Sequence, residues 1–152
     1  MLCRRHDGNG FSRPVGGGIG AYLKSVSPRT QIVGCWPKNA PALYECLRHG
    51  AVVDVPEEPT LSESTAGGIE PNSVTLALGK QVIDRSVLVT EAEILAAMRR
   101  LRDTRGWNVE GAAGVALAAL LRHAAEYSGK AVAIILCGGN LSPRVRGQLA
   151  SA

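Results

Sequence analysis

Gly129–Asn140 reads GKAVAIILCGGN, and its reading decides the fold. A wholly apolar run, Ala131 to Leu136, enters a small thiol, two glycines and an amide. Continuous apolar runs of this length are the signature of strands buried on both faces, as in parallel sheets. Open α/β sheets bind their ligands just beyond the carboxyl ends of such strands. The segment therefore predicts a strand over Ala131–Leu136 and sets Cys137 and Asn140 where a ligand of that sheet would lie.

Working outward, Ala112 to Tyr127 precedes it as a long helix, apolar almost all round in its first half, which predicts a helix sandwiched between layers. Thr90 to Arg105 is the clearest helix. Thr90 and Glu93 form a capping box, acids fill the first turn, four arginines follow toward the end, Ile94, Leu95, Met98 and Leu101 make the buried stripe, and Gly106 stops it. Ser86–Val89, Gln31–Cys35 and Ala51–Val55 read as strands, and Trp107–Val109 as a brief one. Val74–Val82 reads as a short helix. So does Asn39–Arg48, with Asn39 as N-cap and Gly50 as the stop. Gly18 to Val26 reads as a helix entered through glycines and halted before Pro28. Pro56–Ser73 is a long polar loop, and loops of that length are commonly functional or disordered. Strands alternating with helices predict an α/β fold, a parallel sheet with helices on both faces. The expected organisation is an irregular segment 1–13, one domain over 14–142 and a tail over 143–152, in which Arg144 and Arg146 are solvated.

Composition bounds the function. The chain has 152 residues, 45% of them hydrophobic, but one Phe, two Trp and three Tyr, so the core is aliphatic. The net charge of +4 is mild and the bases form no run, which argues against a nucleic-acid partner. The longest apolar helix candidate, Gly111–Leu121, is too short to span a bilayer. Cys3, Cys35, Cys46 and Cys137 show no CxxC spacing, so zinc is not expected. The N-terminus carries no apolar signal-peptide core, so reduced thiols in a cytoplasmic protein are expected.

Three groups carry candidate chemistry. Gly16, Gly17 and Gly18 ahead of a helix offer either a flexible turn or a phosphate cradle of backbone N–H groups. Neither a Walker lysine nor a GxGxxG fingerprint supports a nucleotide, which leaves a small phosphate- or nucleotide-binding α/β module as the weaker reading. Cys137 is either a buried structural thiol or a weak donor and acceptor facing a heterocyclic nitrogen without protonating it. Glu110, at the junction before Gly111-Ala112-Ala113-Gly114, is either a helix N-terminal acid favoured by the dipole or a carboxylate at a cofactor edge.

Taken together and in this order, VGGGIGAYLK (15–24), TLSES (60–64), VLVTEAEI (87–94), VEGAAGVALAALL (109–121) and VAIILCGGN (132–140) resemble the C-terminal half of the serine/threonine dehydratases. That family includes serine racemase and has the tryptophan-synthase-like fold of pyridoxal-phosphate enzymes. The likeness covers about Pro14 to Ser142, and WPKNAPALYECLRHG (36–50) and TLSESTAGG (60–68) are most similar to the branch used in hydroxyectoine utilisation. The resemblance implies pyridoxal 5'-phosphate as cofactor and β-elimination of a small hydroxyamino acid to a 2-oxo acid and ammonia. It implies that Gly16, Gly17 and Gly18 match part of the phosphate loop, Cys137 the position facing the pyridine nitrogen, Glu110 the acid before the helix, and Asn140 the amide of the closing GGN.

The chain also departs from that family. The family's Schiff-base lysine lies N-terminal to everything matched here, and Lys24, Lys38, Lys80 and Lys130 do not match it. The glycine run is shorter than the family's, and Gly111 stands where a proline is usual. Trp36 and Ala42 replace the acids that bind a divalent cation in some members, so no metal is expected. The implied state is a truncated dehydratase, inactive in isolation, associating with itself, with a complementary half or with a full-length relative. The Gly16 turn and the Cys137 turn are expected to converge at one rim of one sheet around the cofactor.

Overall fold

The computed structural model describes residues 14–151, with side chains from Gly17 onward. The expected irregular segment 1–13 lies outside the described residues. The sheet has two parallel strands, β1 (Val33–Pro37) and β2 (Arg85–Val89), paired from Val33 with Arg85 to Pro37 with Val89. Side chains alternate across a strand, and that alternation divides the core. Val33 and Cys35 with Val87 and Val89 face one cluster, whereas Trp36 and Leu88 face another.

Helices cover both faces, as the sequence predicts. On the first face lie α4 (Glu91–Arg105), α5 (Gly111–Arg122) and α6 (Pro143–Ala150). α5 is buried over most of its surface between α4 and the sheet. The two helices approach closely because position 114 is glycine: a Cβ there would lie 2.7 Å from Met98 Cγ. The second face is covered by α2 (Ala42–His49) and α3 (Val74–Val82). α1 (Pro14–Val26) packs beside α3, with Gly17 against Leu78 and Gly20 against Val82.

The α4 capping box forms: Thr90 Oγ1 accepts from the Glu93 N–H at 3.3 Å, and Glu93 Oε2 accepts from the Thr90 N–H at 2.7 Å. Gly50 and Gly106 end α2 and α4 in the left-handed conformation, at φ 70° and 69°. α2 begins later than expected, at Ala42, because Asn39 turns its amide to the Pro59 carbonyl instead of capping. The helix expected over Ala112–Tyr127 is broken at His123, and Ala124–Tyr127 forms a 3₁₀ turn. There Glu126 binds both Arg85 and His123, and these bonds lower its pKa to about 2.

Three expected strands do not form. The Val53 N–H of 51–55 is taken by Cys46 Sγ at 3.4 Å, and the Trp107 N–H is spent closing α4 on the Leu101 carbonyl at 3.3 Å. Ala131–Leu136, the run that suggested the sheet, makes no ladder bond: Ile134 and Leu136 pack on the core, but the run is hydrogen-bonded to no described strand. The expected tail over 143–152 instead carries α6, whose Val145 and Leu149 are core residues. Arg144 and Arg146 are both exposed, as expected, and Arg144 also binds Glu63 and the Thr60 carbonyl. Among the described residues no helix is long and apolar enough to cross a membrane.

Candidate functional site

α5 is entered through Glu110, whose φ of −73° and ψ of 164° are those of an N-cap, but whose side chain makes no capping bond. The reason lies on both sides of it. On one side, the chain at Leu61–Ser62 is pressed onto Gly111, where a Cβ would sit 2.0 Å from the Leu61 carbonyl oxygen. This contact accounts for glycine where the resemblance calls for proline, since a proline ring would occupy the same space. The pressed segment is held in turn by Glu91 at the start of α4. Its two carboxylate oxygens accept from Thr60 Oγ1 and from the Leu61 N–H, each at 2.7 Å. Ser62 and Thr65 share a hydroxyl hydrogen bond of 2.6 Å beneath the same segment, and both are buried.

On the other side lies the Cys137–Gly139 turn. The Glu110 N–H donates to the Gly138 carbonyl at 3.2 Å. Gly138 has φ 91°, and a Cβ on it would lie 1.4 Å from Glu110 Oε1. Position 138 thus requires glycine twice, once for its backbone and once to let the carboxyl lie over it. Burial pushes the Glu110 carboxyl above its ordinary value, a direction opposite to the one the helix dipole favours. Cys137 is a half-buried free thiol next in the chain, and Asn140 stands exposed at the end of the turn.

The six sequence-predicted residues therefore fall into two groups. Glu110, Cys137 and Asn140 gather at the start of α5. Gly16, Gly17 and Gly18 do not form a turn: α1 starts at Pro14, so they lie within its first turns, and Gly17 packs on Leu78 of α3. A glycine run has no side chains to resist close helix packing, and α3 uses that space: a Cβ on Gly17 would lie 2.9 Å from Leu78 Cδ2. No described contact joins the two groups.

These residues fit one edge of the cofactor that the resemblance implies. A weakly polar thiol and a partly desolvated carboxyl, its pKa raised by burial, suit the rim of a neutral heterocycle. They do not supply its anionic end or a covalent amine. In a helix starting at Pro14 the Gly18 N–H belongs to the i→i−4 ladder. Lys24 is engaged with Asp84 and the Thr30 carbonyl, and Lys80 with the Gly50 carbonyl. The role of Glu91 and Thr60 in fixing Gly111 had no sequence signal beyond an acid in the first turn of α4.

A family model described as "Pyridoxal-phosphate dependent enzyme" matches residues 14–138. The chain is 35% identical over 133 residues to an L-threonine ammonia-lyase of Thermotoga maritima, covering 84% of this chain and 33% of that protein. It is 31% identical over 133 residues to a phenylserine dehydratase of Ralstonia pickettii, covering 84% of this chain and 40% of that one. Among solved structures, serine racemase from Dictyostelium discoideum superposes with a TM-score of 0.72 at 26% identity, over 83% of this chain and 40% of its own. Threonine deaminase isoform 2 from Solanum lycopersicum gives 0.76 at 22% identity, over 90% and 40%, a likeness of fold. The chain thus spans about a third of the length of the curated threonine ammonia-lyases it matches, at 33% of each. On the extent of that match and on its fold, the chain belongs to the pyridoxal-phosphate-dependent enzymes.

Proposed function

We propose that the chain forms part of a pyridoxal-phosphate-dependent dehydratase, an ammonia-lyase that converts a small hydroxyamino acid to a 2-oxo acid and ammonia. The observation that carries this reading is the meeting of Glu110 with the Cys137–Gly138 turn at the start of α5. Cys137 would stand at the heterocyclic nitrogen, and Glu110 at the neighbouring edge. Bound pyridoxal phosphate supplies an electron sink for charge developing at the substrate Cα. Cys137, a weak donor and acceptor, orients the ring without protonating it, which suits expulsion of a β-hydroxyl more than full delocalisation. Glu110, half-buried, has its carboxyl pushed above the ordinary value by burial and would stand beside that edge. Gly138 permits the approach of both. The 36–50 and 60–68 segments support a place in the hydroxyectoine-utilisation branch. The free thiols of Cys35, Cys46 and Cys137 suit a reducing, cytoplasmic compartment.

The reading needs an amine that no lysine of the site provides, so the active form includes a lysine-bearing segment from beyond this sequence. A second reading, favoured by the ladder-free run Ala131–Leu136, is a non-catalytic chain that associates with itself, with a complementary half or with a full-length relative. One assay separates them. The purified chain is given pyridoxal phosphate with L-serine or L-threonine and 2-oxo acid is measured, alone and after co-expression with the lysine-bearing part of a threonine ammonia-lyase. The expected result is no turnover alone and turnover in the co-expressed complex. A complex that forms, binds cofactor and stays silent would favour the second reading. Turnover by the chain alone would overturn the requirement for added chain.

A further inference from the structure

The start of α5 is wedged between two backbone segments. On one side the Glu110 N–H donates to the Gly138 carbonyl at 3.2 Å. On the other the Leu61 carbonyl oxygen abuts Gly111, 2.0 Å from where a Cβ would lie. Thr60, Leu61 and Ser62 are all buried, and a buried N–H without an acceptor is costly, so a segment pressed this tightly needs its polar groups satisfied. The Leu61 N–H and Thr60 Oγ1 both donate to the Glu91 carboxylate, each at 2.7 Å, and the Ser62 N–H donates to Thr60 Oγ1 at 3.1 Å. Glu91 is thus the acceptor at which this chain of hydrogen bonds ends. It is the first residue of α4, directly behind the Thr90 capping box, so its backbone is fixed. One carboxylate therefore ties the start of α4 to the start of α5.

We propose that Glu91 is a positioning residue for Glu110 and Cys137: its grip on Thr60 and Leu61 keeps the start of α5 against the Cys137–Gly138 turn. What that edge faces rests on the dehydratase reading; the link from Glu91 to Glu110 rests on this chain's own contacts. The Glu110 carboxyl lies over Gly138 with no room to spare, since a Cβ on Gly138 would sit 1.4 Å from Oε1. With the 60–62 segment released, Gly111 loses the wall behind it, the Glu110 N–H draws away from Gly138, and water reaches the carboxyl. Burial is what holds that carboxyl above its ordinary value, so its titration reports whether the wedge is intact. A Glu91 that served only as an acid in the first turn of a helix would stabilise α4 through the dipole and leave Glu110 unmoved.

The test is carboxyl carbon NMR of the glutamate-labelled chain without pyridoxal phosphate, titrated from about pH 4 to about pH 8. The Glu110 resonance is the one lost in Glu110→Gln. In the unaltered chain it is expected to titrate above 4.5. In Glu91→Ala its midpoint is expected to fall toward 4.5, and the Glu110 amide to exchange about tenfold faster relative to Ala119 later in α5, the loss of one hydrogen bond. Thr60→Val keeps the Glu91 charge but removes the hydroxyl, and is expected to move both readouts in the same direction. Thr60→Ser keeps the hydroxyl and is expected to leave them in place. The proposal fails if Glu110 titrates at the unaltered midpoint in folded Glu91→Ala and Thr60→Val, or if Glu91→Ala alone moves it, which is an effect of charge. It fails equally if Leu76→Val, a core change on the other face of the sheet, moves Glu110 as far. Should Glu91→Ala not fold, the two Thr60 variants decide. Because no cofactor is present, failure here leaves the dehydratase reading intact.

Discussion

Glu110 is subject to two opposing fields. As the residue before α5 it stands at the positive end of a helix, which favours its ionised form by about 0.3–1 kcal/mol at exposed sites. Half-buried over Gly138 with no hydrogen bond to its carboxylate, it is desolvated, which favours the neutral form, and its raised pKa says that desolvation prevails. The folded value lies above the ordinary 4.5. Below 4.5 the carboxyl is protonated in both folded and unfolded chains and costs nothing; as pH rises through the higher folded value, ionisation weighs against the fold. Glu110→Gln removes that penalty. Urea midpoints measured from about pH 4 to about pH 8 are expected to run together at the acid end and to diverge upward, the variant being the more stable at neutral pH. Parallel curves would refute the assignment of burial as the dominant influence. Glu110 and Cys137 were both legible in the sequence because each sits beside a local marker, a helix start and a run of apolar residues. The grip of Glu91 on Thr60 was not, because a bond across 31 residues leaves no local pattern. The turn expected at the glycines of α1 is helix for a related reason: a run of three reads alike whether it makes a turn or, as at Gly17, admits a neighbouring helix.

Elements with their own punctuation were legible, and those that depend on a distant partner were not. α3 spans the expected residues, α4 carries the expected cap at one end and glycine at the other, and β2 differs from expectation by one residue. The runs at 51–55, 107–109 and 131–136 are apolar enough for strands, but a strand exists only when another chain segment completes its ladder. α6 was missed because eight residues with two inward apolar positions, Val145 and Leu149, make too brief a period to recognise. Its place in the core is nevertheless secured at both ends: Ser142 Oγ caps its start, and Arg99 and Arg102 of α4 donate to its last carbonyls. Leu149→Ala is therefore expected to destabilise the fold by about 2–4 kcal/mol. Arg146→Ala on the exposed side should change stability by no more than ~0.5 kcal/mol. Equal effects in urea unfolding would return residues 143–150 to the status of a tail.

At the scale of the molecule, the sheet is the unusual part. Two strands give each one free edge, and an isolated pair of strands is marginal in water without helices to cover it. Here the faces are covered and the edges are not completed by any described strand. Apolar side chains stand in solvent around this incomplete layer: Val132 is 46% exposed, Trp107 53%, Val26 60% and Tyr22 67%. Unpaired backbone beside exposed apolar side chains is the arrangement from which edge-to-edge association proceeds. Ala131–Leu136 is the strongest candidate for it, because its Ile134 and Leu136 already anchor one side on the core while Val132 and the backbone of the run remain available. The chain is accordingly expected to self-associate as its concentration rises, with sedimentation moving to larger species. Val132→Lys, placing a charge on the exposed side of that run, should shift the material toward monomer without lowering the thermal midpoint, since Val132 contributes little burial. A wild-type chain that stays monodisperse and melts cooperatively as a monomer would show that the strands and helices of the described residues suffice. The ladder-free run would then be a stable loop, and association through it would no longer support the non-catalytic reading.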